Sequence, residues 1–298
     1  MKLSITHSTQ YDYEEAVTDS VNEIRLTPST NERQSCYHQS ITVEPNAPLL
    51  SYEDYFGNRV HVFSVNQPHQ RLAIKTSMTV VTKGAPTASD RERYASRQLP
   101  EQEWQWLLSD EATNRFAEFL LDTDYTSVTT EVEDFAGGLL GLDGAFASSV
   151  HLFDWLTALS DSIREQFTYD PGATTVNTTT SEIFAGKRGV CQDFAHLMIA
   201  CARSVGIPAR YVSGYHFVGD LQGGFADFVQ ASHAWVEAYV PALGWCSFDP
   251  TNRDPVGERY VKLGHGRDYK DIVPVKGVYR GTGAQTLKVA VDVWQSEE

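Results

Sequence analysis

The sequence predicts an α+β fold. Three observations carry it: apolar and polar residues alternate at period two through about residue 84, apolar spacings of three and four follow from about residue 101, and period two returns from about residue 208. At 298 residues the chain has ample length to bury a core, as two domains or one large one.

Residues 1–84 contain the short alternating segments LSITHSTQY, QSITVEP, NRVHVFSV and RLAIKTSMTVVT, broken by Pro, Gly and Asn. That spacing predicts an N-terminal antiparallel β domain. Residues 85–100, inside KGAPTASDRERYASRQLP, hold turn formers and charge without an apolar period and read as a linker. Residues 101–298 are read as one catalytic unit with preceding helices and a C-terminal β segment. It opens with EQEWQWLLSD, NRFAEFLLD and SVHLFDWLTALSDSIREQF, whose spacings and Asp or Ser caps are helical. DFAHLMIACARSV (193–205) is apolar on most faces and stops at Gly206 with Pro208 beyond, which marks a core helix. ARYVSGYHF, SHAWVEAYV, GWCSFDP and QTLKVAVDVW then read as strands. VGDLQGGFADFVQ (218–230), with paired glycines, reads either as a mobile flap or as an ordinary hairpin loop.

Charge narrows the partners. The 39 acidic and 24 basic residues leave a net charge of −15, which repels phosphate backbones and anionic lipid surfaces. Nucleic acid and membrane are therefore not expected partners. No apolar run approaches the roughly 18 residues of a spanning helix, and MKLSITHSTQYDYEE turns polar too soon for a signal peptide, so a cytoplasmic location is expected. Cys36, Cys191, Cys201 and Cys246 show neither CxxC pairing nor zinc-ligand spacing, and all four are expected to be reduced.

One of these thiols stands where a nucleophile could work. Cys191, in RGVCQDFAHL, sits at the N-terminus of the predicted core helix, where unpaired N–H groups and the positive end of the helix dipole favour an anion. Cys201, ten residues along the same helix, reads as packing. A nucleophilic thiol needs a base. His196 is five positions on, about 140° round the helix and about 7.5 Å along it, so it does not face the thiol and reads as a histidine satisfied in the core. His7, His38, His61 and His69 read as strand-face residues, while His151, His216 and His265 have no distinctive neighbours.

His233 differs. In SHAWVEAYVPALGWCSFDP, residues 233, 235, 237 and 239 share one strand face, and 245, 247 and 249 share a face of the next. Pairing symmetric about residue 241 places His233 opposite Asp249 and Trp235 opposite Ser247, an imidazole beside a carboxylate. A triad reading and a bland one, in which Asp249 merely opens a turn before Pro250 and His233 is a polar strand residue, both fit this spacing.

The stretches RGVCQDFAHLMIACARSVGIPARYVSGY, ASHAWVEAYVPALGWCSFDPTN and YDPGATTVNTTTSEIFAGKRGVCQDF resemble bacterial members of the transglutaminase-like superfamily of thiol acyl-transfer enzymes. THSTQYDY, EIRLTP and DYFGNRVHVF resemble the β domain that precedes the core in those proteins, and GHGRDYKDIVPVKGVYRGTG resembles their C-terminal segment. The resemblance implies a papain-like core, with a central helix packed on an antiparallel sheet. It makes Cys191 the nucleophile, His233 the general base and acid, and Asp249 the residue that orients the histidine. The implied chemistry is acyl transfer from a peptide or side-chain carboxamide of a protein or peptide substrate. Hydrolysis by a cysteine peptidase or amidase is preferred, since water is the default acceptor unless a site excludes it. A protein-glutamine transglutaminase is the alternative; a non-catalytic scaffold on the same fold is argued against by the complete triad. The oxyanion would meet the backbone N–H of Cys191 and a second donor, for which Tyr169 is a candidate against its reading as a packing aromatic. The calcium requirement of animal members finds no EF-hand loop, and no metal or cofactor is expected.

Overall fold

Alternation at the N-terminus becomes a long strand: Leu3, Ile5, His7 and Thr9 are buried in turn along β1 (Lys2–Ile24), because successive strand side chains point to opposite faces. The computed structural model describes residues 1–84, 99–140, 150–219 and 232–296. β2 (Gln34–Glu44), β3 (Leu50–Glu53), β4 (Arg59–Val65) and β5 (His69–Thr82) follow. Most of the expected linker and nearly all of the expected flap lie outside the described residues.

The helical block comprises α1 (Pro100–Leu107), α2 (Asp110–Arg115), α3 (Thr130–Leu140) and α4 (Leu152–Gln166). The fully buried Glu103 of α1 supplies the cap that α4 lacks. Its carboxylate accepts the Leu152 N–H at 2.9 Å and His151 Nδ1 at 2.7 Å, so a charge at a helix start fixes one helix against another. The short parallel pair β6 (Thr168–Tyr169) and β7 (Arg188–Gly189) brackets α5 (Thr180–Gly186). The predicted core helix is α6 (Cys191–Ser204), with every residue from Asp193 to Arg203 buried. It ends at Gly206, whose φ of +82° is open to glycine without strain.

Beyond it, β8 (Ala209–His216), β9 (Ser232–Val240), β10 (Gly244–Phe248) and β11 (Tyr260–Gly266) form an antiparallel sheet in the order β10-β9-β8-β11. Ala234, Val236, Ala238 and Val240 of β9 share one apolar core with the central helix. At the other end of that helix, the buried Arg203 donates to the carbonyls of Phe119, Leu121, Ala209 and Arg267 and to the Thr126 hydroxyl, at 2.7–3.0 Å. The helix is clamped at its C-terminus and free to present its N-terminus.

The last strands, β12 (Val275–Arg280) and β13 (Gln285–Gln295), do not extend the core sheet. Both pair antiparallel with β1: its first half lies between β5 and β13, its second half between β4 and β12. The register shifts near Asp19, whose φ is +49°, so one strand bends to serve two ladders. Period two in QTLKVAVDVW identifies a strand but carries no information about its partner. The C-terminal β segment, read with residues 101–298 from sequence, is built into the N-terminal sheet.

Candidate active site

Cys191 is the first residue of α6, and the chain before it explains its placement. Val190 is extended and offers no side-chain acceptor. Asp193, three residues into the helix, reaches back instead: its Oδ2 accepts the Val190 N–H at 2.8 Å and the Thr174 hydroxyl at 2.6 Å. A Cβ on Gly189 would lie 2.9 Å from that carboxylate, so only glycine lets the strand pass against it. Burial pushes the Asp193 carboxyl up from its ordinary range. The RGVCQD stretch thus sets the angle at which the thiol leaves the helix mouth.

The hairpin supplies the partner, with a corrected register. β9 and β10 pair Val240 with Gly244 and Val236 with Phe248, symmetric about residue 242 rather than 241. Ser247 faces Glu237, not Trp235. Residues 241–243 form the turn, with Ala242 inside it at φ of +64° and Gly244, the first residue of β10, at +79°. Because the slip is two residues, both side chains keep their face. The imidazole reaches diagonally, and His233 Nε2 donates to Asp249 Oδ2 at 2.7 Å.

Asp249 both closes a local turn and receives His233. Its Oδ1 accepts the N–H groups of Thr251 and Asn252 at 2.8 and 3.3 Å, a local turn. Its Oδ2 accepts from His233, from the Tyr260 hydroxyl at 2.8 Å and from Asn252 Nδ2 at 2.8 Å. Burial alone would push this carboxyl up, but the His233 charge and these donors hold it at about 2. Burial likewise opposes a charged His233; Asp249 and Cys191 overcome it and raise the imidazole to about 10. Cys191 lines the same cleft as that ring. With Nε2 taken by the carboxylate, Nδ1 is the ring nitrogen left for a partner in the cleft. Of the three residues read from sequence, His233 and Asp249 are hydrogen-bonded, and Cys191 and His233 line one cleft.

The other candidates are placed elsewhere. His196 is wholly buried between the Tyr125 and Tyr211 rings, its Nε2 accepts the Tyr269 N–H at 3.2 Å, and burial holds it neutral by lowering it to about 3. Cys201 is buried and its thiol pushed up; burial pushes Cys246 up to about 12 and also raises Cys36. Tyr169 pairs with Gly189 and is half-buried. Its hydroxyl is raised first by burial and then by the charges of Cys191 and Asp193. His216, bland in sequence, stacks on Tyr260 with ring centres 4.3 Å apart and lies 5.5 Å from the His233 ring. Tyr260 and Asn252, which hold Asp249, were not singled out from sequence; only the turn-forming DPTN motif points to the second.

Cys191 and His233 open onto a cleft of about 380 Å³. Its far wall is the β1–β13 face, with His7, Thr9, Tyr11, Leu287 and Val289. The ends of the chain and its middle meet across the thiol.

Residues 3–81 match the family described as "Bacterial transglutaminase-like N-terminal region", and residues 146–250, which contain Cys191, His233 and Asp249, match "Transglutaminase-like superfamily". An uncharacterized protein of Mycobacterium leprae is 36% identical over 98% of both chains. The chain belongs to the transglutaminase-like superfamily. An uncharacterized protein of Mycobacterium tuberculosis is 34% identical over 98% of this chain and 92% of its own. A shorter match, 39% identical over 28% of this chain and 13% of the other, is to the protein-glutamine gamma-glutamyltransferase of Pseudomonas aeruginosa. Among solved structures, "a Putative Cysteine Protease from Cytophaga hutchinsonii" shares the fold with a TM-score of 0.73, at 22% identity, over 100% of this chain and 92% of that one.

Proposed function

We propose that this protein is a thiol-dependent acyl-transfer enzyme acting on peptide or side-chain carboxamide bonds, with water as the main acceptor. The observation that carries the reading is the imidazole of His233, hydrogen-bonded to the Asp249 carboxylate and lining one open cleft with the Cys191 thiol. The thiolate of Cys191 attacks the carbonyl carbon, and His233 gives its proton to the departing amine, leaving a thioester and a free amine. Water then loses a proton to His233 and attacks the thioester; the C–S bond breaks, the acid leaves and the thiolate returns. Asp249 keeps the ring in the tautomer that both steps need. The backbone N–H of Cys191, unpaired at a helix start, is assigned to the oxyanion, with the Tyr169 hydroxyl as the candidate second donor.

Hydrolysis is favoured over amine transfer by the lining of the cleft. Among the described residues it contains no Asp, Glu, Lys or Arg, hence no carboxylate to receive the ammonium group of a second substrate. The transglutaminase reading has one observation on its side, the short match to the Pseudomonas aeruginosa enzyme. A glutamine-bearing peptide incubated with the protein and a large excess of primary amine separates the two by mass spectrometry of the product. Free acid as the main product is expected; the amide of the added amine as the main product would put transglutaminase in its place.

A further inference from the structure

The far wall of the cleft comes from parts of the chain remote from the triad. Strand register places His7 opposite Val291, Thr9 opposite Val289 and Tyr11 opposite Leu287, and the period of two turns all six toward one face. His7 fastens that face to the core: its Nδ1 shares a hydrogen bond with the Tyr215 hydroxyl at 2.8 Å and its Nε2 one with Thr9 at 3.2 Å. Burial lowers His7 to about 4, so near neutral pH it adds no charge. Leu287 and Val289 remain about half exposed, at 52% and 51%, although they sit on the inward row of the strand. Apolar side chains left uncovered beside a nucleophile are surface that a bound group can cover.

We propose that this β1–β13 wall reads the side chain next to the reacting carbonyl, and that it selects uncharged, apolar acyl donors. The proposal rests on the acyl-transfer reading above and names the substrate class of that site. In a chain where 21% of residues are charged, the described lining of the cleft carries no Lys, Arg, Asp or Glu. A charged substrate side chain laid against Leu287 and Val289 would lose water and gain no partner. An apolar one would bury area on both sides.

The test separates recognition from turnover. Peptidyl chloromethyl ketones that differ only in the residue beside the ketone alkylate Cys191: the thiolate forms a C–S bond to the methylene carbon, the C–Cl bond breaks and chloride leaves. Iodoacetamide, which carries no side chain, is the reference reagent. Leucine and phenylalanine probes are expected to inactivate about 100-fold faster than aspartate or lysine probes, the factor for about 2.7 kcal/mol of unpaired desolvation. Relative to the iodoacetamide rate of the same variant, Leu287→Glu should slow the leucine probe about tenfold and speed the lysine probe. Because Leu287 is half exposed on a strand that, among the described residues, pairs with β1 alone, the fold is expected to stay intact; Leu287→Ala, which should slow only the apolar probes, is the milder companion. Equal rates for charged and apolar probes, or a preference that neither variant alters, would overturn the proposal. Failure of the acyl-transfer reading looks different: the probe preference persists while no amide substrate is turned over.

Discussion

Replacing Asp249 by Asn removes one charge and almost no volume, and its consequence can be followed atom by atom. Both carboxylate oxygens face donors only: two backbone N–H groups on Oδ1, and His233, Tyr260 and Asn252 on Oδ2. The backbone donors cannot turn away, so the amide oxygen takes the Oδ1 site and its NH2 group faces His233 Nε2. That nitrogen must then accept, which moves the ring proton to Nδ1 and leaves no base toward the thiol. The electrostatic part is large as well. Against burial, which opposes the charged ring, Asp249 and then Cys191 raise His233 from 6.5 to about 10. With the tautomer error added, turnover should fall between about 10² and 10⁴-fold. The substrate-independent assay is the rate of iodoacetamide alkylation of Cys191 from pH 5 to 11, followed by mass spectrometry alongside turnover. The sign of the pH effect on stability is fixed too. His233, raised, contributes stability that is full below 6.5 and lost as pH rises through about 10, whereas Asp249, lowered, contributes stability lost as pH falls from about 4 through about 2. Both dependences should flatten in Asp249→Asn. An Asn variant that alkylates at pH 6 and turns over like wild type would refute the whole argument.

Two further outcomes follow from the same geometry. At mildly acidic pH iodoacetamide should modify Cys191 first, with Cys201 and Cys246 protected by burial and Cys36 slower; peptide mapping that finds Cys36 labelled as fast as Cys191 would count against an activated nucleophile. Tyr260→Phe deletes one of three donors on Asp249 Oδ2, a hydroxyl that burial and the neighbouring carboxylate keep protonated at every working pH. It should lower turnover about 5- to 30-fold, the effect of roughly 1–2 kcal/mol, and raise the pH of the acid limb of the alkylation profile; an unmoved profile would reduce Tyr260 to packing.

The organisation of the chain was legible because its signals are local. Period two, period 3.6 and a Gly–Pro stop identify the β region, the helical block and the central helix. RGVC at a helix start and a His–Asp hairpin could be recognised for the same reason. What was hidden depends on partners far away in sequence. Turn geometry, decided by Ala242 and Gly244, moved the hairpin register by two residues, and only the even size of the slip kept His233 beside Asp249. Tyr260 has no local mark that distinguishes a carboxylate donor from a packed ring. Nothing in QTLKVAVDVW says that it lies beside residues 3–13, and so the cleft wall could not be read at all.

That pairing bears on the order in which the molecule is made. Strand β13 hydrogen-bonds a segment more than 270 positions earlier, and contacts of such separation carry the greatest loop-closure entropy. The hairpin of His233 and Asp249 joins residues only sixteen apart. In refolding, the reactive thiol–imidazole couple is therefore expected before the wall that faces it, and a young molecule would be chemically armed but unable to choose among substrates. Adding iodoacetamide and a leucine probe at successive refolding times would expose that interval as alkylation without preference.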